Sequence, residues 1–246
     1  MTTVRLGHLY PEEMNIYADR GNIAVLALRC SWRGLSLEVT PLRVGDRINP
    51  AAHDLYYLGG GQDRDQAVVA QDLLATKAAD LRRAVDDGAS LLAVCGGYQL
   101  AGLGYTDVSG TRLDGLGLLD VDTVAGEGRL IGDVVIEADL DGRRERVVGF
   151  ENHAGRTTVA AGSRPLGRVV RGHGNNGRDG GEGAVRGRVV GTYLHGPLLP
   201  KNPWLADVLL AWALERRTGS RPRLEPLDDG LAASARAVAE ERPAKR

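Results

Sequence analysis

Two short apolar runs that stop at glycine constrain this chain more than anything else in it. Leu55-Tyr56-Tyr57-Leu58 ends at Gly59-Gly60-Gly61, and Leu91-Leu92-Ala93-Val94 ends at Cys95-Gly96-Gly97. Each is the length of a buried strand, and each is followed by a helical pattern. Val68, Leu73, Leu74, Leu81 and Val85 recur at helical spacing over residues 63–87, and a short helix is expected from Tyr98. Upstream, residues 4–9 and 35–40 read as strands around a helix over 22–29 with Asn22 as its cap. Strand alternating with helix predicts an α/β fold: a mostly parallel, twisted sheet with helices on both faces and ligands outside the carboxyl ends of its strands.

From Leu130 the rhythm changes to strands, expected over 130–137, 147–150, 167–170 and 189–194, so the second half adds antiparallel pairs. Asn202-Pro203 places a helix cap before Pro at N1 and opens an amphipathic helix to about Arg217. The glycine-rich stretch 171–183 reads as a mobile loop. Residues 1–217 are expected to form one domain. Residues 218–246, charged and interrupted by Pro222, Pro226 and Pro243, are expected to be an appendage with one short helix over 228–241.

At 246 residues the chain can bury one substantial core. Lys and Arg number 31 against 32 Asp and Glu, and there are only one Phe, seven Tyr and three Trp, so neither a basic field nor a stacking platform recommends nucleic acid as a partner. The apolar run over 23–28 is far short of a membrane span, and no secretory leader opens the sequence. Two cysteines without a C-x-x-C spacing make no disulfide framework and no zinc knuckle, which fits a cytoplasmic protein. The five histidines show no metal-ligand spacing, so no metal is expected. Gly59-Gly60-Gly61-Gln62 lacks the Lys-Ser/Thr ending of a phosphate loop. Gly172-x-Gly174-x-x-Gly177 runs into Arg178-Asp179-Gly180-Gly181 with no helix to receive a pyrophosphate. No cofactor is therefore expected in this chain.

Cys95 is the most informative residue. Lying between a strand and Gly96-Gly97, with small residues at 93 and 97, it occupies a strand-to-helix elbow from which a nucleophile projects at the sheet's edge. A helix N-terminus favours a thiolate, and the Gly96 N–H is free to meet a developing oxyanion. The bland alternative is a small buried hydrophobe, the reading given to Cys30, which has no such turn. A general base must face the same crevice. His195, between the strand over 189–194 and Gly196-Pro197, and His153, in Gly149-Phe150-Glu151-Asn152-His153, are both candidates, and spacing does not choose between them.

Taken in order, several segments resemble the class I, triad-type glutamine amidotransferases, in the branch shared with cobyric acid synthase and most closely the GatD-type glutaminase subunits. They are residues 14–22, 59–66, Cys95-Gly96-Gly97-Tyr98-Gln99, residues 129–132, residues 149–157, and Thr192-Tyr193-Leu194-His195-Gly196-Pro197. The resemblance implies a flavodoxin-like sheet, Cys95 attacking the side-chain amide of L-glutamine, and His195 as acid/base. It also implies an oxyanion hole from Gly60 or its neighbour and Gly96, with Gln99 and Arg129 touching substrate. It implies a heterodimer with a MurT-like Mur ligase subunit that carries ATP and Mg and amidates lipid II. The alternatives are ammonia supply to another synthetase, such as one amidating a corrinoid, and a non-catalytic scaffold. The class places a carboxylate two residues after the histidine; here that position is Pro197.

Overall fold

The computed structural model describes residues 2–15 and 20–241. Residues 16–19 of the motif over 14–22, and residues 242–246 of the C-terminal segment, lie outside them.

Five strands run parallel: β1 (Thr3–Leu9), β2 (Ser36–Leu42), β3 (Leu55–Leu58), β4 (Ser90–Val94) and β12 (Val189–Thr192). A sixth, β11 (Ala184–Arg186), pairs antiparallel with β12, and the order across the sheet is β11-β12-β4-β3-β1-β2. β3 and β4 are buried at every position, as strands covered on both faces must be, which is why, apart from buried Ser90, their residues are hydrophobic without alternation. Two helices, α1 (Arg20–Ser31) and α6 (Pro203–Thr218), pack on each other beside β1 and β2. Fully buried Arg29 joins them, reaching Asp207 at 2.6 and 2.7 Å and Asp229 at 2.6 Å.

The register decides where function can sit. Leu58 is opposite Ala93, and Thr192 is opposite Val94, so the residues that follow β3, β4 and β12 emerge side by side at one carboxyl edge.

The second half builds a separate sheet. In it β7 (Val121–Leu140) and β8 (Arg143–Val159) form one long hairpin, flanked by β5 (Gly104–Thr106) with β6 (Arg112–Asp114), and by β9 (Gly167–Arg171) with β10 (Gly181–Glu182). Both hairpin strands are far longer than the expected 130–137 and 147–150. Their outer thirds carry too many glycines and charges to read as strand, and pairing rather than propensity holds them.

Four further expectations are corrected. The helix over 63–87 is three pieces, α2 (Asp63–Asp72), a π-helical turn at Leu73–Lys77 and α3 (Ala78–Asp86). In that wide turn Lys77 is buried against Asp72 at 2.5 Å, and Tyr10 donates to the same carboxylate at 2.7 Å. Asn22 is not a cap: fully buried inside α1, it donates to the Tyr57 hydroxyl at 3.1 Å and accepts from the Leu199 N–H at 2.8 Å. Leu199 belongs to the short helix α5 (Leu198–Lys201), and another, α4 (Gly96–Ala101), follows Cys95.

Asn202 precedes α6 but does not cap it by its side chain. Its amide instead completes the edge of β8, accepting from Val148 N at 3.0 Å and donating to Val148 O at 2.8 Å. The stretch 171–183, expected to be mobile, is anchored from within. Buried Asn175 exchanges hydrogen bonds with Gly183 at 2.9 and 3.0 Å and takes one from Tyr98, while Glu151 accepts from the N–H groups of His173 and Gly174 at 2.7 and 2.9 Å.

A helix α7 (Gly230–Glu241) forms near the C-terminus, and Arg171 donates to its Glu240 and Ala239 carbonyls at 2.9 and 2.6 Å. Among the described residues no helix is long and apolar enough to cross a membrane.

Candidate active site

Cys95 leaves β4 with φ 52° and ψ −108°, a conformation that few non-glycine residues adopt. It is held there from both sides. Its N–H donates to Thr192 O at 2.8 Å, and its carbonyl accepts from Gln99 N at 3.0 Å as α4 begins. Gly97 donates to Gly59 O at 3.1 Å, and a Cβ on Gly97 would run into the Leu58 and Gly59 carbonyls. The glycine after the elbow is what lets the two strand ends approach.

A cavity of about 450 Å³ opens over this elbow. Cys95, Gly96, Gln99, Gly61, Gln62, Arg64, Gln66, Arg129 and His153 are on its wall, with no carboxylate among the described lining residues. Gly61 N lies 3.2 Å from where a Gly96 Cβ would stand, so these two backbones converge, whereas Gly60 is buried and not on the wall. Arg129 is exposed at the mouth, its guanidinium set by Asn152 Oδ1 at 2.6 Å and Asn152 O at 2.7 Å.

Behind the wall runs a chain of buried polar groups. Gln66 donates to Gln99 Oε1 at 2.7 Å, Gln99 donates to the Tyr193 hydroxyl at 3.2 Å, and that oxygen shares a 2.7 Å hydrogen bond with Thr157. Burial holds the Tyr193 phenol well above its ordinary pKa, so it stays a neutral hydroxyl.

The two candidate histidines have different settings. His153 stacks on Tyr193 with ring centroids 3.6 Å apart, its Nδ1 is 2.8 Å from Gly155 O, and its Nε2 is 3.6 Å from the Glu151 carboxylate. Gly155 O can only accept, so Nδ1 carries the proton. His195 is 1% exposed, one strand over from the Cys95 elbow, and its backbone bridges Phe150 through N–H···O bonds of 2.8 and 3.1 Å. The turn that carries His195 hangs on fully buried Glu182, which accepts from Tyr193 N at 2.8 Å and Thr192 Oγ1 at 3.0 Å.

Residues 5–203 match the CobB/CobQ-like glutamine amidotransferase domain. The chain belongs to that family. Among its relatives, the subunit GatD of lipid II isoglutaminyl synthase (glutamine-hydrolyzing) from Staphylococcus aureus strain N315 is 42% identical over 217 residues, spanning 88% of this chain and 87% of that protein. The same subunit from Streptococcus pneumoniae strain R6 is 39% identical over 93% of this chain and 87% of its own. A cobyric acid synthase from Pelotomaculum thermopropionicum is 40% identical over 60% of this chain but only 30% of its own length. In three dimensions PurLQS from Thermotoga maritima superposes with a TM-score of 0.55 at 18% identity, covering 79% of this chain and 88% of that one, which shows the fold.

For a CobB/CobQ-like glutamine amidotransferase, four of the six residues singled out from sequence meet here, Cys95, Gly96, Gln99 and Arg129 on the cavity wall; His195 is off that wall, three positions past the end of the neighbouring strand β12, while His153 is on it. The sixth, Gly60, expected with its neighbour as an alternative, is buried off that wall, and its neighbour Gly61 is on it. Sequence reasoning missed Arg64, Gln66, Tyr193 and Glu182. Gln66 and Tyr193 sit inside the segments 59–66 and 192–197 that carry the family likeness, and that position was the available signal; an isolated Glu182 in a glycine-rich loop offered none.

Proposed function

We propose that this chain is the glutamine-hydrolysing subunit of a two-subunit synthase that amidates lipid II. Cys95 attacks the side-chain carbonyl of L-glutamine, and His195 takes the thiol proton and gives it to the departing nitrogen. A γ-glutamyl thioester and ammonia result. Water then attacks the thioester, with His195 again moving the proton, and glutamate leaves. Backbone N–H groups of Gly96 and of Gly60 or Gly61 receive the oxyanion, whose stabilisation by one donor is commonly worth ~10²–10³ in rate. Gln99 shapes the wall, and Arg129 holds the substrate's α-carboxylate, since a guanidinium meets both oxygens of a carboxylate at once.

The observation that carries this reading is the pairing of a strained cysteine elbow with an arginine-lined cavity in a chain 42% and 39% identical to GatD over most of both lengths. A MurT-like Mur ligase partner would carry ATP and Mg, activate the α-carboxyl of D-glutamate in the stem peptide and receive ammonia, in the cytoplasm where the nucleotide is. Ammonia is largely protonated in neutral water, so the partner would dock over the carboxyl edge where the cavity opens.

The test is to mix the chain with a MurT-like subunit, ATP, glutamine and lipid II. Amidated lipid II is expected from the mixture and only glutamate from the chain alone. With Cys95→Ser in the complex, glutamine should fail as nitrogen donor while added ammonium salt still works. Amidation of a corrinoid but not of lipid II, with the corresponding synthetase supplied, would favour a cobyric acid-type acceptor, and no glutamate at all would leave a scaffold.

A further inference from the structure

The hairpin strands keep register as far as Ala125 opposite Gly155 and resume it at Leu130 opposite His153. Residues 126–129, Gly-Glu-Gly-Arg, therefore bulge out opposite the single residue Ala154. The bulge ends in Arg129, the cation at the cavity mouth. Two of its four residues are glycine, and Gly128 lies in the left-handed region at φ +67°. A segment of that composition has many conformations to choose from, so its placement of Arg129 needs an outside cause.

Arg156 supplies one. Its Nη1 donates to Ala154 O at 2.7 Å and Gly155 O at 3.3 Å on β8, and its Nη2 donates to Glu127 O at 3.0 Å and Gly128 O at 3.4 Å in the bulge. The side chain lies flat against Gly126, where a Cβ would come within 2.7 Å of its Cγ and Nε. Among the described residues no carboxylate pairs with this guanidinium; its partners are main-chain carbonyls. A fork of donors that spans two strands is what arginine offers and lysine does not.

We propose that Arg156 is a positioning residue for substrate capture: it staples the bulge to β8 and thereby fixes the Cα of Arg129 over the Cys95 cavity, while Asn152 sets the direction of the Arg129 guanidinium. The proposal rests on the reading of Arg129 as the carboxylate clamp. Arg156 itself is not on the cavity wall and touches no reacting atom.

Arg156→Gln should raise KM for glutamine roughly 10-fold or more while kcat stays within about twofold, because a displaced clamp weakens binding rather than proton transfer. Arg156→Lys, whose single ammonium can serve only one of the two strands, should recover part of the loss. In an Arg129→Ala background Arg156→Gln should add no further rise, since the two act through one contact. Alkylation of Cys95 by iodoacetamide, which has no carboxylate to clamp, should run at the wild-type rate, showing an intact elbow. Amide exchange at residues 127–129 should be faster in Arg156→Gln than in wild type. Unchanged KM, an equal KM rise with and without Arg129, or unchanged exchange at the bulge would each overturn the proposal. If wild type hydrolyses no glutamine, the functional reading fails by itself, and the exchange measurement still decides whether Arg156 is the staple.

Discussion

The main-chain N–H of Cys95 donates to the carbonyl oxygen of Thr192 at 2.8 Å, the last rung between β4 and β12. The strand that delivers the candidate nucleophile and the strand that delivers His195 are thus locked together at the point where each ends. Two residues, Tyr193 and Leu194, separate Thr192 from His195, and Glu182 holds Thr192 and Tyr193. Relative placement of thiol and imidazole is accordingly a property of the sheet and of one buried carboxyl, not of mobile loops.

The two cysteines should separate cleanly in reactivity. Burial pushes the Cys30 thiol up to about 11, leaving almost no thiolate at neutral pH, whereas Cys95 lines the cavity. Cys95→Ser should abolish glutamate release without moving the melting temperature much, and Cys30→Ser should leave activity largely intact. Peptide mapping after limiting iodoacetamide should find the label on Cys95. Label on Cys30, or hydrolysis surviving Cys95→Ser, would sink the assignment.

The histidines differ by mechanism. His195→Ala should slow thioester formation by ~10²–10⁴-fold, the usual worth of a positioned proton-transfer group. His153→Ala removes the ring stacked on Tyr193 and the neighbour of buried Glu151. It should cost stability, ~1–3 kcal/mol as for an abandoned buried polar partner, while acylation survives. Rapid-quench detection of the thioester, with urea unfolding alongside, reads both effects; loss of acylation in His153→Ala alone would exchange the roles.

Much of this site was legible because its parts lie at strand ends. Leu55–Leu58 and Leu91–Val94 are apolar at every position, so their burial and the glycine turns after them are local facts, and Cys95 could be placed at an elbow without knowing what it faces. His195 and His153 could not be told apart because both follow strands expected from the sequence, although His153 lies within β8; what distinguishes them is a cross-sheet stack on Tyr193 and a bridge to Phe150, contacts between residues distant in sequence. Asn22 and Asn202 misled for a related reason. Each has a cap's composition and position, but its amide has a buried backbone or hydroxyl partner from another element, and local pattern carries no trace of that. The hairpin was underestimated because Gly126, Gly128 and the charges around them lack strand character, while pairing of the residues on either side with β8 carries the strand past them.

Asn202 offers a test of that distinction. Its amide bonds Val148 N, Val148 O and Leu198 O at 3.0, 2.8 and 2.7 Å, all buried. Asn202→Ala leaves those groups without partners and should cost ~2–4 kcal/mol in urea unfolding, at the upper end for lost hydrogen bonds. Serine is as good as asparagine at a helix cap, but it is too short to reach both atoms of Val148. Asn202→Ser should therefore be nearly as damaging as Asn202→Ala; full rescue by serine would restore the capping role.

Glu182 ties stability to pH in the direction opposite to most carboxylates. Burial pushes its carboxyl from an ordinary 4.5 up to about 8, outweighing the hydrogen bonds from Tyr193 and Thr192 that favour the ionised form. Below about pH 4.5 the group is protonated in the folded and unfolded chain alike. Between about 4.5 and 8 the unfolded chain releases this proton and the folded chain keeps it, so the contribution from Glu182 falls as pH rises, by up to ~1.4 kcal/mol per pH unit, and levels off above about 8. Glu182→Gln keeps the shape and an acceptor for Tyr193 N but cannot ionise. Its unfolding free energy relative to wild type should therefore become steadily more favourable from pH 5 to pH 8, measured in urea at each pH. Parallel stability curves for the two proteins across that window would show that Glu182 is ionised in the fold, and the turn before His195 would then be held by a buried charge.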